Sequence, residues 1–146
     1  MVVVDAKDLI VGRMATYVAK MALLGDKVDV VNCEKAVITG SKPQVFSRFK
    51  QKRDMGIPLK GPYFHRSPDR LVRRIIRGML PYKQPRGRDA FKRVMCYVGF
   101  PERLKQKDEK PLTFESANVS KVPNFKYVRI SEISKFLGSK NYSADD

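Results

Sequence analysis

The apolar positions of the first forty residues change period as the chain proceeds. Val2-Val3-Val4 is a continuous β-branched run, which predicts a short strand. After Asp5-Ala6-Lys7-Asp8 the apolar residues fall mostly in steps of three and four, at Ile10, Met14, Tyr17, Val18, Met21 and Leu24. That spacing predicts an amphipathic helix, with Gly25 as its stop. Lys27 to Asn32 predicts a second strand through Val28, Val30 and Val31, and Ala36-Val37-Ile38 a third. Strand, helix and strand in succession are the unit of a parallel sheet, so the chain reads as α/β. Thr39-Gly40 makes a turn, and Ser41 and Gln44 stand at capping-box spacing ahead of Val45, Phe46 and Phe49, which predicts a second helix.

From Asp54 to Ser67 the periodicity is lost, and Gly56, Pro58, Gly61 and Pro62 exclude a long element, so a surface loop is expected. Ser67 as N-cap and Pro68 at the first helical position open a third helix, which Pro81 closes after Gly78-Met79-Leu80. A loop over Tyr82 to Gly87 then leads to a short helix near Arg88 to Arg93 and a strand over Val94 to Val98. Residues Pro101 to Lys126 are polar and punctuated by proline, and should cross the surface without a long element. A strand at Tyr127 to Ile130 and a helix from Ser131 to Leu137, stopped by Gly138, complete the pattern. There is no internal repeat or low-complexity tract.

With 146 residues, 42% of them hydrophobic, the chain is long enough for one domain with its own core. No apolar run approaches the roughly 20 residues that span a bilayer. The opening has no basic n-region, so the expected location is the cytosol, with no membrane partner. Cys33 and Cys96 lack a C-x-x-C partner and sit in apolar, strand-like contexts, as buried reduced thiols do.

Charge changes the picture. The net charge is +15, and Lys42 to Arg93 carry +13 of it, 16 basic residues against 3 acidic. Met1 to Ser41 balance at 5 against 5, and Val94 to Asp146 give 9 against 7. A polyanion is therefore expected on one part of the surface, nucleic acid first among them. On the third helix Leu71, Val72, Ile75, Ile76, Met79 and Leu80 follow one face, and Arg70, Arg73, Arg74 and Arg77 another. Such a stripe is ordinarily a solvated face with intrahelical ion pairs. Here Asp69 is the one acidic residue nearby, which tips the reading to RNA phosphates.

The flanking segments, Lys60 with Tyr63-Phe64-His65-Arg66 and Tyr82-Lys83-Gln84-Pro85-Arg86-Gly87-Arg88, add aromatics on which bases could stack beside phosphate-binding cations. The same rings could instead pin loops to the core. Arg48, Lys50, Lys52 and Arg53 form a further patch on the second helix. The turn Thr39-Gly40-Ser41-Lys42 could offer amides to a phosphate, although an ordinary βα connection explains it as well. Neither G-x-x-x-x-G-K-[ST] nor G-x-G-x-x-G occurs, so no nucleotide cofactor is expected. His65 is the sole histidine, and no Glu lies between Lys42 and Arg93, so neither a metal site nor a catalytic set is expected. The competing readings are an enzyme acting on RNA or a phosphorylated ligand, and a general binder of DNA or anionic membranes.

The order of short motifs points to one family: Asp5 with Gly12-Arg13-Met14-Ala15, Val31-Asn32-Cys33-Glu34-Lys35, Thr39-Gly40, Gly61-Pro62, Arg66 with Pro68, Arg77-Gly78-Met79-Leu80-Pro81, Gly87-Arg88, and Tyr97 with Gly99. Up to about Glu102 the chain resembles the large-subunit ribosomal proteins of the L-thirteen family. Gly-Phe-Pro-Glu after the last core strand, without a long C-terminal extension of the eukaryotic kind, resembles the archaeal form. The resemblance implies a three-layer α/β/α fold around a mostly parallel four-stranded sheet, with irregular basic loops and residues 100–146 as a C-terminal extension of a single domain. It also implies large-subunit ribosomal RNA and neighbouring ribosomal proteins as partners, a cytoplasmic place in the ribosome, a role in subunit assembly and no chemistry.

Overall fold

A computed structural model describes residues 1–105, 111–124 and 126–139. Its elements are β1 (Val2–Asp5), α1 (Val11–Leu24), β2 (Val28–Val31), β3 (Val37–Thr39), α2 (Lys42–Asp54), α3 (Pro68–Met79), α4 (Pro85–Lys92), β4 (Val94–Cys96), α5 (Glu102–Lys105), β5 (Tyr127–Arg129) and α6 (Ile130–Phe136). Strands β1, β2 and β4 form a parallel sheet with β2 in the middle, Val4 opposite Val30 and Val30 opposite Cys96. Val28, Val30 and Val31 are fully buried, as a strand covered on both faces requires. The larger core lies against α1 and α3 and contains Val4, Met14, Val18, Val30, Leu71 and Ile76. On the other side Val3 and Val31 pack with Leu104, Tyr97 and Phe100. Strands β3 and β5 make a separate antiparallel pair, Ile38 opposite Val128.

Several of the motif residues brace this framework. Asn32 adopts a left-handed backbone (φ 55°) and donates from Nδ2 to Asp5 Oδ1 at 2.9 Å. Its own N–H reaches the Gly99 carbonyl, and Gly99 N–H returns to the buried Glu34 Oε2 at 3.0 Å. The Glu34 carboxylate is thus answered inside the protein, as a buried carboxylate must be. Gly25, with φ 113°, closes α1, and Arg93 adds a bond from Nη1 to the Ala22 carbonyl at 3.2 Å.

Four local expectations need revision. Ser41 occupies the N-cap of α2 and Ser67 that of α3, yet neither hydroxyl makes a cap bond. At α3 proline at the first position and Asp69 in the first turn favour the start instead. Helix α4 begins at Pro85, because proline presets φ at a first helical position, so Arg86 stands on the helix and not in the expected loop, while Arg88 is helical as expected. Strand β4 ends at Cys96, before Val98.

Among the described parts of the run from Pro101 to Lys126, regular structure is limited to α5 and two 3-10 turns, Glu115–Ala117 and Val119–Lys121. Positions 106–110 and 125 of that run lie outside the described residues. The segment is tied to the core all the same. Leu112 exchanges hydrogen bonds with β1 at 2.8 and 3.0 Å, and Ala117 is buried. Among the described residues no helix is long and apolar enough to cross a membrane.

Cys33 and Cys96, distant in sequence, meet in space as free buried thiols. The hydrogen bond between their side chains, reinforced by burial, holds the Cys33 thiol well above its ordinary pKa of 9.0. A thiol so held carries little thiolate and is a poor nucleophile.

Candidate nucleic-acid interface

Helix α3 places the arginines by burying its other face. Leu71, Val72 and Ile76 are sealed against the core, and Arg70 and Arg74 remain exposed with Arg73 and Arg77 partly covered. All four arginines border one cleft of about 450 Å³, together with Tyr63, His65, Asp69, Phe91, Met95 and Cys96.

Three of these arginines rest on rings in place of carboxylates. The guanidinium of Arg73 lies 4.5 Å from the Phe91 centroid, that of Arg74 4.8 Å from Phe64, and that of Arg77 5.1 Å from Tyr82. Ring attraction holds a guanidinium without neutralising it, and most of its in-plane N–H donors stay available to an acceptor. Arg73 spends one of them, Nε, on the Val94 carbonyl at 3.1 Å, which pins α3 to β4.

The other sequence candidates divide into three groups. Lys42 and Arg53 are engaged: Lys42 Nζ lies 2.6 Å from Glu132 Oε2, and Arg53 Nε lies 2.8 Å from Asp54 Oδ1. That bond holds the exposed Asp54 carboxyl below its usual pKa, with burial opposing and the charges of Arg53, Lys50 and Arg66 assisting. Arg48, Lys50 and Lys52 are exposed on α2, where Val45 and Phe49 turn inward. Burial, followed by the charges of Arg48 and Arg74, lowers the pKa of Lys52. Lys60, Lys83, Arg86 and Arg88 are exposed. Arg86 and Arg88 hold their places because Gly87 lets α4 close over the Pro81 turn; a Cβ there would come within 2.1 Å of the Pro81 carbonyl oxygen.

The aromatic residues split between the two roles open to them. Tyr63 is 69% exposed, its hydroxyl donating to the Leu59 carbonyl at 2.7 Å, and His65 is exposed beside it. Phe64 turns inward, packing edge-on to Phe49 and seating Arg74. Arg66 is exposed, while its carbonyl accepts from Ser134 Oγ at 2.6 Å, tying the loop to α6.

The turn from Thr39 to Lys42 is an ordinary connection. The Gly40 N–H is spent on the Lys126 carbonyl, and Pro43 has no N–H to offer. Phe91, Met95 and Cys96 are the cleft residues that sequence reasoning did not place in a site. Their positions carry no local signal, since α4 and β4 reach α3 only through the tertiary fold.

The family model described as Ribosomal protein L13 matches residues 1–103. The large ribosomal subunit protein uL13 of Methanococcoides burtonii is 47% identical over 140 residues, covering 96% of this chain and 99% of that protein. Its counterpart in Archaeoglobus fulgidus is 47% identical over 137 residues, covering 93% and 86%. That of Methanococcus maripaludis is 46% identical over 145 residues, covering 96% and 99%.

Proposed function

The chain belongs to the ribosomal protein L13 family, and from that premise we propose that its basic middle third is the surface that binds large-subunit ribosomal RNA. As a member of the family the protein is a structural constituent of the large ribosomal subunit, located in the ribosome in the cytoplasm, and not an enzyme. The observation that carries the RNA surface is the cleft beside α3, where arginines are positioned by rings and left without carboxylate partners among the described residues. Tyr63 and His65 at its edge are available to stack on unpaired bases. By holding phosphates of converging RNA segments, the protein supports subunit assembly, and its less basic surfaces meet neighbouring ribosomal proteins.

The finer architecture belongs to the same reading. We take the chain as one domain, 1–146, whose residues 100–146 form an extension. The three-layer, four-stranded description draws support from apolar clusters on both faces of the sheet and from the Val4–Leu112 bridge beside β1.

Binding of the full chain to transcribed large-subunit ribosomal RNA, titrated across salt, tests the proposal. Affinity should fall with salt at a log–log slope of about 0.7 to 0.9 per phosphate engaged. Salt-independent binding, or equal affinity for duplex DNA, would refute it.

A further inference from the structure

Gly12 stands in the first turn of α1 and Gly78 near the end of α3, and the fold needs glycine at neither. Neither has positive φ, and a Cβ at either would meet no heavy atom within 4 Å. Alanine is the better helix former at such positions, so within the chain itself the choice of glycine has no benefit. Both glycines line a single groove of about 410 Å³.

That groove also brings together cations from two helices, Arg48 and Lys52 of α2 and Arg74 of α3. All three are exposed, and none takes part in an ion pair among the described residues. Lys52 and Arg74 are seated on an aromatic pair. Lys52 Nζ is 5.5 Å from the Phe49 centroid, Arg74 lies on Phe64, and the two rings meet edge to face at 6.3 Å. The lowered pKa of Lys52 reflects burial and then repulsion from Arg48 and Arg74, a positive excess that an anion would relieve.

We propose that this groove is a phosphodiester site for ribosomal RNA: Arg48, Lys52 and Arg74 hold backbone oxygens, and the bare positions at Gly12 and Gly78 let the strand lie against the helices. The site rests on the RNA-binding reading but is distinct from the arginine cleft, with which it shares only Arg74. It accounts for two motif glycines that the fold leaves unexplained. A small Cβ would stand where the sugar-phosphate chain must pass, and a larger side chain would fill the groove.

The test is salt-dependent binding of full-length protein to transcribed large-subunit ribosomal RNA, comparing wild type, Gly78→Leu, the double variant Arg48→Ala/Lys52→Ala, and Arg70→Ala as a variant confined to the cleft. Gly78→Leu should weaken binding at least about tenfold with its melting temperature equal to or above that of wild type, since leucine is the better helix former. The double variant should lower the salt slope by about 1.5, two contacts' worth. Wild-type affinity and slope in both variants would overturn the groove while leaving the RNA reading intact, and would do so most clearly if Arg70→Ala were weakened. Failure of wild type to bind the RNA would overturn both. Inorganic phosphate and ATP are the competing probes. Displacement of RNA from wild type by millimolar amounts of either, lost in the double variant, would show a small-ligand site and overturn the proposal.

Discussion

In residues 1–41 basic and acidic side chains balance, and polar groups that go inside find partners inside: Asn32 reaches Asp5, and Glu34 receives the Gly99 N–H. In residues 42–93 the excess is +13, and several of the cations sit on rings and not beside carboxylates. The two regions share one core, since α3 packs on α1, yet one is neutral and the other strongly positive. A carboxylate beside each arginine would have closed the surface to phosphate. An aromatic ring gives position without neutralisation, so the guanidinium stays charged toward whatever arrives from outside.

Substitutions that separate stability from binding should break this contrast if it is wrong. The largest effect is expected where the regions meet. Ile76→Ala removes a fully buried side chain of α3 and should cost about 2 to 5 kcal/mol in urea unfolding, while the salt slope for RNA, measured on folded protein, stays at the wild-type value. In the neutral third, Glu34→Ala strands the Gly99 N–H and should cost about 1 to 3 kcal/mol, again with no change in slope.

Smaller shifts sharpen the comparison within the basic third. Arg70→Ala should lower the slope by about 0.7 to 0.9 with stability within about 0.5 kcal/mol of wild type. Lys42→Ala should change the slope less than Arg70→Ala does, because Glu132 already answers Lys42, and such an exposed pair is worth at most about 1 kcal/mol. The smallest effect concerns the thiols. The folded-state pKa of Cys33 is raised, so the stability linked to its protonated form is fully present below the ordinary thiol pKa of 9.0 and is lost as pH rises above it. Between pH 7 and pH 10 the urea midpoint of wild type should therefore fall more than that of Cys33→Ala.

Much of the fold could be read from spacing. The β-branched runs marked β1, β2 and β3, and the step-of-three-and-four pattern marked α1, because burying one face imposes those periods on the chain. Proline and glycine marked the ends of α3, and the arginine face followed directly from its buried face. Serine was a poorer guide. Ser41 and Ser67 stand where N-caps belong, but without the hydroxyl bond, and a proline in the first turn favours each start instead.

Residues 1–146 by themselves determined that the chain is α/β, that its charge collects in one third, and that one helix divides into an apolar and an arginine face. Those properties live in composition and in periods a few residues long. Tertiary structure alone decided which ring seats which arginine: Phe91 comes from α4 and Phe64 from a loop, both brought to α3 by the fold. It alone decided that Cys33 meets Cys96, that Leu112 lies along β1, and that Gly12 and Gly78 face one groove with Arg48 and Lys52. Each of these last three is a meeting of residues dozens of positions apart, and no local pattern encodes it. The packing of helices on a sheet does.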